Sequence, residues 1–244
     1  MEGSKTTSRL LPEGRPLSLG EAWGVALTLY LRDFLTIVGI ALIVSLIGGL
    51  LRATASEPQP LLLVLLFALL GALVGLLGYF ALAKAILDRL YERPIRIPSA
   101  FGFALAKIGP ILWTVLWIVG LVVVPFFLAW LLSLLVPLLG LLGMVAVFGL
   151  YLLVLLFTSF VPFVLVDEEL YGWDCIERSY EFVRSDWVPV LITALLAYIP
   201  PALLDWLFPQ SWVVIGLIAL YFPLPYIVLA LLYLDARRTQ REPS

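Results

Sequence analysis

Residues Leu61 to Ala83 read LLLVLLFALLGALVGLLGYFALA. No charge interrupts the run, and no polar face recurs at the helical period that a water-facing helix needs. A helix that crosses a bilayer needs about 20 mostly apolar residues. This stretch alone therefore places the chain in a membrane. Working outward, no charged residue lies between Lys107 and Asp167, an interval long enough for two more crossings. Of the 244 residues, 63% are hydrophobic and 13% charged, with mean hydropathy +1.09. A soluble domain has roughly a quarter charged residues, so too few polar side chains exist here to coat a surface in water.

Uncharged runs, read against glycine, proline and charge punctuation, give six spans: Phe34 to Leu51, Leu61 to Leu87, Ile111 to Val136, Leu138 to Val166, Val188 to Leu204 and Trp212 to Leu234. A turn at Pro137 and Gly140 separates the third from the fourth. Because hydrocarbon does not tolerate unpaired backbone, each span is expected as a helix. The predicted fold is all-α: a polytopic membrane protein of six transmembrane helices with amphipathic interfacial helices on the cytoplasmic side. A polar tail is expected over residues 1–15, one membrane domain over 16–241 and a short tail over 242–244. Met1 to Asp33 lacks the apolar core of a secretory signal, so the chain is expected to be inserted rather than exported.

Arg52 follows the first span, whereas every other Lys and Arg falls on the opposite side of this ladder. Those others include Lys84, Arg89, Arg93, Arg96 and Lys107 after the second span, Arg178 and Arg184 after the fourth, and Arg237, Arg238 and Arg241 at the end. The positive-inside rule then sets both termini and both long connectors in the cytoplasm of a cell membrane.

The connectors alternate between long and short, which suggests three units over 16–93, 94–171 and 172–241. Each opens on an amphipathic segment, continues through two spans, and ends with apolar residues before an acid: Asp88, Asp167 and Asp235. Two spans per unit preserve orientation, so such a repeat is parallel.

The third opening, GWDCIERSYEFVRSDW from Gly172 to Trp187, is the most charged run between spans. On a helix, Trp173, Ile176, Tyr180, Val183 and Trp187 form an apolar stripe. Asp174 with Arg178, and Glu181 with Arg184, stand at ion-pairing spacings. Such a helix lies flat at the cytoplasmic interface, its tryptophans among lipid headgroups. Trp173, Arg178, Arg184 and Trp187 are thus the candidate lipid or partner contacts.

The longer run FVPFVLVDEELYGWDCIERSYEFVRSDWVPVL, residues 160–191, resembles the membrane domain attached to some glycerophosphoryl diester phosphodiesterases and found in related stand-alone multi-pass proteins. Pro162, Asp167 or Glu168, Arg178, Ser179, Tyr180, Arg184 and Trp187 match that pattern. PLSLGEAWGVALTLYLRDF, residues 16–34, looks like the family's opening. The resemblance implies a six-helix membrane protein and no reaction. The soluble phosphodiesterase domain has no counterpart in this sequence, and its histidine chemistry has none in a chain without histidine.

Candidate chemical sites are few. The acids Asp167, Glu168, Glu169, Asp174 and Glu177 suit a solvated face better than a metal site, since they lack the alternating spacing of a calcium loop. No metal, cofactor or catalytic residue is expected, and nucleic acid is not expected as a partner. No ionisable residue sits mid-span; Lys84 and Asp88 stand one helical turn apart at a cytoplasmic end, and Asp205 lies at the outer edge. Pro125, Pro162, Pro200, Pro201, Pro223 and Pro225 read as kinks. Gly71 and Gly75 form GxxxG, a candidate for close helix packing. The expected function is a non-enzymatic bundle that associates with membrane lipids, a protein partner or a second copy of itself; the alternative is a transporter or lipid-handling permease.

Overall fold

Ser18 and Glu21 start the first helix. The Ser18 hydroxyl accepts from the Glu21 N–H at 3.4 Å while the Glu21 carboxylate accepts from the Ser18 N–H at 3.1 Å, a reciprocal cap that satisfies two orphan donors. Hydrogen bonds from Arg15 and Ser18 hold the Glu21 carboxyl down at about 2. The computed structural model describes residues 15–55, 60–135, 137–208 and 211–241. All but the last residue of the expected N-terminal tail, and the C-terminal tail at 242–244, lie outside them.

The helices in chain order are α1 (Leu19–Arg32), α2 (Phe34–Ala55), α3 (Leu61–Leu90), α4 (Ile97–Ala106), α5 (Ile108–Leu135), α6 (Pro137–Phe157), α7 (Val161–Asp167), α8 (Gly172–Ser185), α9 (Trp187–Leu207), α10 (Trp212–Tyr221) and α11 (Pro223–Arg241). There is no strand among the described residues. Among the described residues six stretches are long and apolar enough to cross a membrane: Phe34–Leu51, Leu61–Leu90, Ile108–Leu134, Leu142–Asp167, Trp187–Leu207 and Trp212–Gln240. They match the expected spans in number and order, with ends shifted by a few residues. Gly140, read as part of a turn, lies inside α6.

Two spans depart from the expectation of one helix each. The fourth breaks between α6 and α7, and the sixth between α10 and α11. The cause is proline, which lacks the N–H that a carbonyl four residues earlier would accept. Ahead of Pro162, the Val161 N–H turns to the Thr158 carbonyl at 3.1 Å, which strands the Phe157 carbonyl. The Ser179 hydroxyl of α8 takes it at 2.5 Å. In α9 the missing N–H of Pro200 frees the Leu196 carbonyl, and the Tyr221 hydroxyl donates to it at 2.7 Å. Beside the break before Pro223, the Tyr30 hydroxyl donates to the Leu220 carbonyl at 2.7 Å. In the first two cases a hydroxyl from another helix replaces a lost backbone donor, as hydrocarbon surroundings require.

Packing is concentrated at one end of the bundle. From Pro225 to Leu234, α11 is buried on every side, which is why its sequence is apolar all round. It touches α1, α2, α3, α8 and α9. Around it the buried parts of α3 (Phe80 to Leu90) and α7 (Val161 to Leu165) complete the core. Toward the other end α5 and α6 expose Val123, Phe126, Phe127, Leu142, Val145 and Phe148. A surface so apolar is stable only against lipid.

The element order runs short helix, span, span three times. Each short helix rests on the last helix before it, α4 on α3 and α8 on α7, while α1 packs on α11. The α3 terminus is closed by two backbone bonds, Glu92 N–H to the Arg89 carbonyl at 3.0 Å and Arg93 N–H to the Asp88 carbonyl at 2.7 Å. This arrangement puts its C′ residue in the left-handed region, where glycine is usual; here Glu92 holds it at φ 57°.

Candidate functional site

Three helix ends meet at the packed end of the bundle. The Asp167 carboxylate, at the end of α7, accepts from the Tyr91 hydroxyl beyond α3 at 2.9 Å and from the Tyr233 hydroxyl of α11 at 3.0 Å, and pairs with Arg237. Arg237 also donates to the Tyr91 oxygen at 2.8 Å, and its Nε lies 3.4 Å from Glu168. Glu168 in turn receives the Arg178 Nε of α8 at 3.0 Å. Arg178 then reaches Glu181 at 2.7 Å and Gln240 at 3.0 Å, its guanidinium 4.3 Å above the Phe182 ring.

The side chains of Asp167, Glu168 and Arg237 are each less than a fifth exposed. Two acids thus face two guanidiniums in a partly dry setting, where a satisfied network is rigid and a broken one costly. Burial and the Asp167 charge push the Tyr91 hydroxyl upward, so it stays protonated and remains a donor. Burial, with the charges of Glu168 and Asp174, pushes the neighbouring Cys175 thiol up to about 12. Chemically the arrangement ties helices; its carboxylates are already spent on internal donors.

Smaller pairs ring this centre. Arg89 meets Asp33 at 2.6 Å, joining α3 to the α1–α2 junction. Lys84 pairs with Asp88 one turn on, as their spacing predicted. Lys107 donates to Glu169 at 3.1 Å and to the Tyr171 hydroxyl at 2.7 Å, and both raise the Lys107 ammonium. The Leu17 N–H donates to Asp235 at 2.9 Å, pinning the start of α1 to α11.

The residues singled out in the sequence are distributed differently. The stripe expected on one helix is divided: Ile176 and Val183 are core, Trp173 and Tyr180 are exposed along the flank of α8, and Trp187 is exposed at the start of α9. The buried face consists of Gly172, Cys175, Ile176, Ser179, Phe182 and Val183, packed on α5, α7 and α11. Gly172 fits there because its φ is +63° and a Cβ would lie 2.5 Å from the Trp113 ring; its N–H donates to the Thr114 hydroxyl at 2.7 Å.

The local ion pairs expected on α8 are replaced. Arg178 turns from Asp174 to Glu168 and Glu181, and Glu181 is thereby taken from Arg184. The long-range partner wins because it lies in the buried network, where an ion pair is less screened. Arg184 is exposed. Of the glycines on α3, the close approach to α2 falls at Gly78, where a Cβ would lie 2.1 Å from Val44. Gly71 has only the Leu51 side chain at 3.9 Å, and Gly75 opens on free space. The residues missed by sequence reasoning are Tyr91, Tyr233 and Arg237. Tyr233 and Arg237 stand one turn apart on α11, a spacing visible in YLDAR but meaningful only once α11 is known to be the hub.

Gly71 and Gly75 instead line a cleft of about 650 Å³ between α2, α3, α9 and α10, at the end remote from the charged network. Pro201 and Asp205 of α9 form another wall.

Fold and site together define an all-α, multi-pass membrane bundle whose helix ends are locked by an ionic network on one side. No family model, no curated protein and no solved structure matches the chain.

Proposed function

We propose that this chain is a non-enzymatic integral protein of the cell membrane, with both termini and the charged end in the cytoplasm, whose bundle serves association with lipid, a protein partner or itself. The observation that carries this reading is the occupancy of Asp167 and Glu168, the two acids best placed for chemistry, by Tyr91, Tyr233, Arg237 and Arg178. General acid–base work needs a carboxyl in reach of a substrate proton, and these are turned inward. The basic residues at that end support the orientation. The three successive hairpins are proposed as related units, with α4, α8 and α1 as their openings. Kinship with the phosphodiesterase-associated membrane domain belongs to the same proposal.

A permease is the second reading. The cleft beside Pro200 and Pro201 favours it; the hydroxyl already seated on the Leu196 carbonyl weighs against a backbone gap held open for a substrate. Reporter fusions after Arg52, Tyr91 and Arg241 are expected to read outside, inside and inside. Asp167→Asn, Glu168→Gln and Glu169→Gln are expected to leave any measured activity within a few fold. A loss of several orders of magnitude at one acid would overturn the non-enzymatic reading, and ion or metabolite flux in proteoliposomes would favour the permease.

A further inference from the structure

The basic residues at the packed end are of two kinds. Lys84, Arg89, Lys107, Arg178 and Arg237 each meet a carboxylate and are used up in tying helices. Arg32 and Arg96 are exposed, and their guanidiniums have no partner among the described residues. Arg93, with 64% of its side chain exposed, comes no nearer to a carboxylate than 3.8 Å, at the Asp88 that Lys84 already holds, and lies 5.6 Å from the Tyr91 ring.

These three gather at one corner. The Arg89–Asp33 pair, at 2.6 Å, holds the end of α1 against the end of α3, and Arg32 adjoins Asp33. The Arg93 N–H is tied back to the Asp88 carbonyl at 2.7 Å, which folds the following loop over the same helix end. Arg96 opens α4, and the next residue, Ile97, lies 3.6 Å from where a Cβ on Gly39 of α2 would stand. The first span starts at Phe34, the second ends at Leu90 and the third starts at Ile108, so all three arginines sit just outside hydrocarbon, at headgroup depth. Leu31 and Leu35, on either side of Arg32, are 64% and 84% exposed, an apolar flank beside the charge. Glu92 is the exposed acid of the corner, and it leaves an excess of positive charge there.

Like charges so placed repel one another, and an anion among them removes that cost. Guanidiniums suit phosphate in particular, because their planar forks donate two hydrogen bonds to its oxygens. At a membrane surface the matching anion is a lipid headgroup. We propose that the corner formed by the α1–α2 junction and the α3–α4 loop binds an anionic phospholipid of the adjoining leaflet, its phosphate held by Arg32, Arg93 and Arg96 and its acyl chain lying along Leu31 and Leu35. The proposal deepens the lipid-association reading above and rests on that part of it alone.

The full chain, equilibrated with mixed vesicles of phosphatidylglycerol and phosphatidylcholine of equal chain length, would be examined by native mass spectrometry. The expected result is retained phosphatidylglycerol, favoured over phosphatidylcholine by about tenfold or more. Arg96→Gln is expected to cut that preference by about fivefold, the effect of one basic residue at an anionic surface. Arg32→Gln, Arg93→Gln and Arg96→Gln combined should abolish it at an unchanged melting midpoint, since all three side chains are exposed. Arg15→Gln removes the same charge at the far end of α1, roughly 21 Å away at about 1.5 Å per residue and beyond a Debye length of about 8 Å, and should leave the preference intact. Equal retention of the two lipids by the wild type, an undiminished preference in Arg96→Gln, an equal loss in Arg15→Gln, or displacement of the lipid by millimolar inorganic phosphate each overturns the proposal. Arg96→Gln decides the matter even where the triple variant fails to fold. Such a failure leaves the topology and amide experiments, which decide the broader reading, unaffected.

Discussion

Arg237 of α11 pairs with Asp167 at the end of α7 while donating to Tyr91, the residue that follows α3, at 2.8 Å. One guanidinium thereby joins the ends of the second, fourth and sixth spans. Helices in lipid gain no hydrophobic drive from meeting one another, so packing and polar ties of this kind set their arrangement.

Arg237→Ala leaves Asp167 in a dry site with two tyrosine donors and no cation. The expected loss is about 3 kcal/mol, read as a lower unfolding midpoint in detergent. Adding Asp167→Asn should recover part of the loss, because the uncompensated charge is then gone. Additive losses would show that the two residues do not act as a pair.

Tyr221→Phe removes the donor that replaces the N–H missing at Pro200. In the native background it should cost about 1 kcal/mol. In a Pro200→Ala background the helix supplies its own N–H to the Leu196 carbonyl, and the same change should cost almost nothing. A double-mutant cycle of unfolding midpoints measures the difference.

Two backbone positions predict opposite effects. Glu92→Gly relieves a left-handed conformation that costs a side chain about 1 kcal/mol or more, and should raise the midpoint. Gly172→Ala introduces such strain and drives a Cβ into the Trp113 ring, so it should destabilise by at least 1–3 kcal/mol.

Cys175 is buried, and its thiol is raised from 9.0 to about 12, first by burial and then by the charges of Glu168 and Asp174. Maleimide at pH 8 should leave it unlabelled until the protein is denatured, since the thiolate is the reactive form. The sign of the pH dependence follows. Above pH 9 the unfolded thiol releases its proton while the folded one keeps it, so the unfolded state binds fewer protons and stability falls as pH rises. Cys175→Ala should flatten that part of the stability profile relative to the native chain.

The six spans, the all-α class and the pairing of Lys84 with Asp88 follow from the sequence by itself, because each depends on residues close together in the chain. Hydrocarbon demands a continuous apolar run, and a run is local. Proline positions likewise announced where the backbone would lose a donor. They did not say which hydroxyl would replace it, since Ser179 and Tyr221 lie on other helices. Only tertiary structure decided those partners, the choice of Glu168 by Arg178, and the gathering of Tyr91, Tyr233 and Arg237 about Asp167. It also decided which face of α8 is buried. Ile176 and Val183 of the expected stripe turn inward while Trp173 and Tyr180 stay exposed, and Gly172, Cys175, Ser179 and Phe182 complete the buried face, because close helix contact admits small side chains that let backbones approach.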